Sequence, residues 1–107
     1  MTWIAGASIF SGRPDPSWPI SDELGARLES LWDSLPASKA EDVRPPPLGY
    51  RGCFVISPDR RRWMAYRQSV RHEAAGRIEH RRDNNRNFES TVIASAPNGV
   101  LPPWVND

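Results

Sequence analysis

Eleven prolines punctuate this chain of 107 residues, and their positions decide where regular structure can form. Each fixes φ, lacks an amide N–H and pushes its predecessor toward extended geometry, so helices and central strands must fit between them. Pro14, Pro16 and Pro19 make the run from Arg13 to Ile20 a stiff, non-helical connector. Pro36 stops whatever precedes it, and Pro45, Pro46 and Pro47 steer residues 44–48 toward polyproline geometry. Pro58 falls at the second position of a turn. Pro97 and the Pro102–Pro103 pair leave residues 97–107 as an extended tail, with Trp104 as its docking anchor.

The intervals between these breakers have readable patterns. Trp3 to Phe10 is rich in strand formers and ends at the turn signal Ser11-Gly12, which predicts a buried first strand. Ser21 offers an N-cap, Asp22 and Glu23 place negative charge where the helix dipole favours it, and Leu24, Leu28, Leu31, Trp32 and Leu35 recur at helical spacing. These features predict an amphipathic helix over 22–35. Tyr50–Ile56 and Trp63–His72 read as the strands of a β-hairpin spanning 50–72, joined by Ser57-Pro58-Asp59-Arg60. Alternation assigns Tyr50, Phe54, Ile56, Met64, Tyr66 and Val70 to the core, and Arg51, Cys53, Arg67 and Arg71 to water. A third strand over 76–80 follows a turn at residues 73–76. Residues 87–96 read as a second helix through Phe88 and Val92, with an alternating strand as the competing pattern.

Together these elements make a small α+β fold, a single domain over 1–107, with one or two helices covering an antiparallel sheet. That sheet comprises the hairpin, the N-terminal strand and the third strand. The length is sufficient for one hydrophobic core, and five tryptophans spread along the chain supply large anchors for it. Cys53 is the lone cysteine, which excludes an intrachain disulfide or a cysteine cage and points to a reducing, cytoplasmic setting. The apolar start lacks a basic region, so no signal peptide is expected. No run is long enough to span a bilayer.

Charge supplies the functional lead. Between Arg60 and Arg86 nine arginines meet only Glu73, Glu79 and Asp83, whereas the flanking segments are acidic, so a net charge of +1 conceals a strong internal asymmetry. Arg60, Arg61 and Arg62 cluster at the expected hairpin tip, and Arg67 and Arg71 project from its wet face. This places an anion- or partner-binding surface on the hairpin, and phosphates of nucleic acid are one ligand it would suit. A solvated face neutralised by neighbouring carboxylates is the bland counterpart.

Three further groups stand out. A register with Phe54 opposite Tyr66 sets Cys53 opposite Arg67, where an adjacent cation would make the thiol reactive. Arg13, Asp15 and Trp18 ride on the proline-stiffened run and form a candidate ligand loop, or equally a structural strap. His72, Glu73 and His80 match no metal-ligand spacing, so neither metal nor cofactor is expected. The 44–48 prolines lack the full spacing of an SH3 ligand. No phosphate loop, nucleophile elbow or triad signature is present. The resulting expectation is a non-enzymatic module that binds a protein partner. Nucleic-acid binding through residues 60–86 comes second and a Cys53-dependent enzyme third. Membrane is excluded as a partner, and self-association of the oppositely charged segments is left open.

Overall fold

Three tight turns convert the arginine-rich half of the chain into a meander. Strand β3 (Cys53–Ile56) turns into β4 (Arg62–Tyr66), β4 into β5 (Ser69–Ala74), and β5 into β6 (Arg77–Arg82). Arg60, Arg67, Ala75 and Gly76 all hold positive φ at these turns. The Ala75–Gly76 pair (φ 51° and 77°) is the two-residue left-handed loop that suits the right-handed twist of flanking strands. Ahead of the meander lie β1 (Trp3–Ala7), β2 (Ser17–Ile20) and helix α1 (Asp22–Ser34), and after it helix α2 (Asn87–Ala94). The computed structural model describes residues 2–9, 14–39, 49–102 and 105. The expectations for Arg13, for residues 44–48 and for Trp104 lie outside them.

All six strands join in one antiparallel sheet, in the order β2-β1-β3-β4-β5-β6. The α+β class therefore holds, with a sheet larger than the pattern implied. Two strands account for the difference. The long second strand expected over 63–72 breaks at Arg67–Gln68, so that Tyr66 pairs with Ser69 and one strand becomes two. Part of the expected connector, Ser17 to Ile20, pairs with β1, with Trp18 opposite Ala5. Pro19 is tolerated there because β2 is an edge strand and needs no donor on its outer side.

In β3 and β4 the buried face is the odd-numbered one, opposite to the expectation, whereas Val70, beyond the turn at Arg67–Gln68, is buried as expected. Cys53, Val55, Trp63 and Ala65 are buried, while Phe54, Ile56, Met64 and Tyr66 are only partly covered. Both faces of these strands are apolar, so alternation alone leaves the choice open. Trp63 decides it by stacking on Trp3 across the sheet, with ring centroids 5.7 Å apart. The register also differs by one pair: Phe54 opposes Met64, and Cys53 opposes Ala65 instead of Arg67.

Both helices lie over that odd face. In α1, Ser21 Oγ accepts from Leu24 N–H as the cap, and Leu28 and Trp32 point inward. Gly25 sits flat on Trp3, whose ring would meet an added Cβ at 2.3 Å, so this helix approaches the sheet through a glycine. The second helix buries Phe88 and Val92 completely. Its first turn is closed by Asp83, which accepts from Phe88 N–H at 2.7 Å. Trp18 Nε1 donates to Ser95 Oγ at 2.9 Å and ties β2 to α2. The outer edge of β6 is also occupied: Ser38 N–H donates to His80, and Arg82 N–H to Pro36.

Candidate functional site

Because α1 and α2 share one face, the opposite face, that of Phe54 and Met64, carries no helix among the described residues. Cross-strand pairing fixes its layout. One row runs Pro19, Ile4, Ile56, Arg62, Glu73, Ile78, and the next runs Ser17, Gly6, Phe54, Met64, Arg71, His80. Tyr66, Ser69 and Arg82 continue it toward the β4–β5 turn. The centre is therefore aromatic and aliphatic, and one flank is rich in arginine. Gly6 is required here, since a Cβ would lie 2.2 Å from the Phe54 ring that crosses β1.

Guanidinium groups pack on the aromatic centre. Arg62 lies over Phe54 at 5.5 Å and Arg67 over Tyr66 at 5.4 Å, separations at which a cation and a π face attract. Arg71 pairs with Glu73 on its own strand, and its buried Nε has no hydrogen-bond partner.

The arginines expected to act together divide by role. Arg61 turns toward the helix layer, forks onto Glu29 at 2.8 and 3.1 Å, and reaches Asp59 at 3.0 Å. These hydrogen bonds, Glu29's first, raise the Arg61 pKa, while the Arg61 hydrogen bond lowers that of Glu29. Asp59 is lowered chiefly by the Ser57 hydroxyl and then by Arg61. Arg61 is thus a clamp between hairpin and helix. Arg60 and Arg62 remain at the tip, whereas Arg67 lies at the opposite end of β4.

At that opposite end a buried carboxylate organises the chain. Glu89 accepts from Tyr50 Oη at 2.7 Å, Arg67 N–H at 3.0 Å, and Arg86 Nε and Nη2 at 2.8 and 2.5 Å. With only 3% of its side chain exposed it is fully engaged, and its hydrogen bond raises the Arg86 pKa. A cleft of about 330 Å³ lies beside it, between Tyr50, Arg86 and Ile93. Burial and the neighbouring negative groups push the Tyr50 hydroxyl upward.

Cys53 belongs to this dry region. It is 2% exposed, and burial, followed by the charge of Glu89, raises its thiol pKa. That is the reverse of the activation expected from Arg67, because the register places Ala65 there. Trp18 is 3% exposed and acts as a strap, while Asp15 Oδ1 accepts from Ile9 N–H at 3.1 Å. His72 is sandwiched between Trp32 and Trp63 at 5.3 and 4.8 Å on the helix face, whereas Glu73 and His80 belong to the other. Among the described residues no group of three metal-ligating side chains converges, and no helix is long and apolar enough to cross a membrane.

Sequence reasoning missed Phe54, Met64 and Tyr66 as surface residues because their alternation matches that of a core. Arg77 and Ile78, at the same end as Arg60 and Arg62, carried no local signal beyond charge. Compared with known protein families, curated proteins and solved structures, the chain shows no match.

Proposed function

We propose that the chain is a binding module whose helix-free sheet face receives a protein partner with an apolar centre and an acidic surround. The observation that carries this reading is the partly buried apolar group Phe54, Ile56, Met64 and Tyr66, flanked by Arg62, Arg71 and Arg82. Tyrosine, phenylalanine, methionine and arginine are the residues that protein interfaces concentrate. A cationic flank favours and steers an acidic partner. Strand addition is the poorer route, since Pro19 blunts one edge of the sheet and residues 36–38 occupy the other. The buried lone cysteine suits a reducing compartment, and the cytoplasm is the setting we assign.

Single-stranded nucleic acid is the second reading, because aromatic rings on a basic sheet form a stacking platform. The guanidinium groups over Phe54 and Tyr66 already occupy ring faces that bases would need, and the total charge is only +1. Both points favour protein.

The test is affinity capture with the purified chain, a Met64→Glu variant on the open face and a Ser30→Glu control on the solvent side of α1. A protein retained by the parent and the control but lost by Met64→Glu is expected. Capture unaffected by Met64→Glu overturns the assignment. Binding of labelled single-stranded RNA that collapses between about 50 and 200 mM salt and requires Tyr66 would install the second reading.

A further inference from the structure

We propose that the cavity between the β3–β4 and β5–β6 turns binds a phosphate monoester dianion; this deepens the partner-binding reading by naming a chemical group that its surface accepts. The two turns lie at the same end of the sheet because β4 and β5 run side by side between them, with Arg62 opposite Glu73 and Glu73 opposite Ile78. Between them lies an open cavity of about 390 Å³, lined by Arg60, Arg62, Arg77, Glu73, Ile78 and residues Ala74 to Gly76.

Three arginines thus line one cavity, the Arg62 guanidinium also lying over Phe54, and the one carboxylate among the lining residues, Glu73, is taken by Arg71. Arg61, between two of them in sequence, points away into its clamp with Glu29 and Asp59. Among the described residues Arg60, Arg62 and Arg77 form no ion pair. A carboxylate is satisfied by a single arginine fork. A phosphate monoester carries nearly two charges on three terminal oxygens, and so matches a site with three forks. Ile78, 53% exposed at the rim, offers apolar contact to whatever bears the phosphate.

Backbone geometry decides which arginine to replace. Arg60 holds φ 67°, in the left-handed region where a side chain other than glycine or asparagine is unfavourable.

The same fact supplies a clean variant. Arg60→Gly removes a guanidinium and relieves the backbone, so lost binding cannot be blamed on a weakened fold; Arg77→Ser removes a second, exposed one. Amide chemical shifts would be followed during titration with inorganic phosphate, phenyl phosphate and a phosphoserine peptide, against chloride at equal ionic strength. Saturable shifts centred on Arg60, Ala75, Gly76 and Arg77 are expected, with affinity falling about tenfold for each arginine removed. A peptide that binds at least about tenfold tighter than inorganic phosphate assigns the site to a phosphorylated partner; equal binding assigns it to free phosphate. Shifts that fail to saturate, match those with chloride, or persist in both variants overturn the proposal. Met64→Glu reads the open face separately, so failure of that reading and failure of this site are told apart.

Discussion

The two faces of this sheet are built from similar strands and hold apolar residues to different ends. On the helix side the rings of Trp3, Trp63, His72 and, from α1, Trp32 meet in a row, and Arg81 closes it by lying 4.4 Å from the Trp32 ring and donating to its carbonyl. On the other side Arg62 lies over Phe54 and Arg67 over Tyr66, both arginines exposed, and among the described residues no helix covers the two rings. The first arrangement removes area from solvent and stabilises the fold. The second leaves area whose burial is still to be gained, which is what a binding surface requires. Apolar content therefore does not separate core from interface in this chain. The layer packed on it does.

Paired substitutions test that contrast most severely. Leu28→Asp sets a carboxylate under α1 and should cost about 4 kcal/mol or more, enough to unfold a domain of this size. Met64→Asp on the open face should cost about 1 kcal/mol or less. Urea denaturation followed by tryptophan fluorescence measures both, and similar losses would erase the distinction between the faces. Next in size is Glu89→Gln, which turns an amide N–H₂ against Tyr50, Arg86 or the Arg67 amide. An expected loss of about 2–3 kcal/mol would show that the carboxylate chiefly holds α2 to the sheet. An unchanged midpoint would redirect attention to the adjoining cleft.

A smaller effect sharpens the helix side through pH. Burial between the two indoles, then the charge of Arg61, lowers the His72 pKa below 6.5. Arg81 acts in the same sense, while Glu79 and Glu29 oppose it. The unfolded chain therefore takes up a proton before the folded one does. Stability is full above pH 6.5 and falls as pH drops toward and through the folded value. Thermal melts at about pH 8 and pH 5.5 should show this decline in the parent and a shallower one in His72→Phe. Glu29 and Asp59, both lowered, add their own loss at more acid pH. The smallest effect has the opposite sign. Ala75→Asn creates the Asn-Gly pair that a left-handed two-residue turn prefers and should add up to about 1 kcal/mol, read as a raised melting temperature.

Much of the fold was legible because its signals are local. The cap at Ser21 and the 3.6-residue spacing of Leu24, Leu28 and Trp32 placed α1 to within a residue at its end. The Pro58 turn and the alternating strands around it located the hairpin. The Arg67–Gln68 turn was hidden, since neither residue is a usual turn former and the flanking strands read as one continuous pattern. The β2 strand was hidden because prolines argue against a strand unless it is known to lie at an edge. Of the candidate site, the arginine cluster at residues 60–62 was visible as charge, but its division into the inward clamp Arg61 and the outward Arg60 and Arg62 was not.

What the sequence determined by itself are the properties set within a few residues: helix α1 and its cap, the turn at Pro58, the extended character around the prolines, and the charge asymmetry. Each depends on dihedral limits, spacing or composition, which act along the chain. Tertiary structure alone decided which sheet face is dry, which arginines are committed and which residues share a cavity. Those outcomes turn on the stacking of Trp3 on Trp63, on Gly25 letting α1 settle against the sheet, and on the reach of Glu29 to Arg61. Partners so distant in sequence leave no periodic trace, because the free energy that selects them arises only when separate elements bury the same surface.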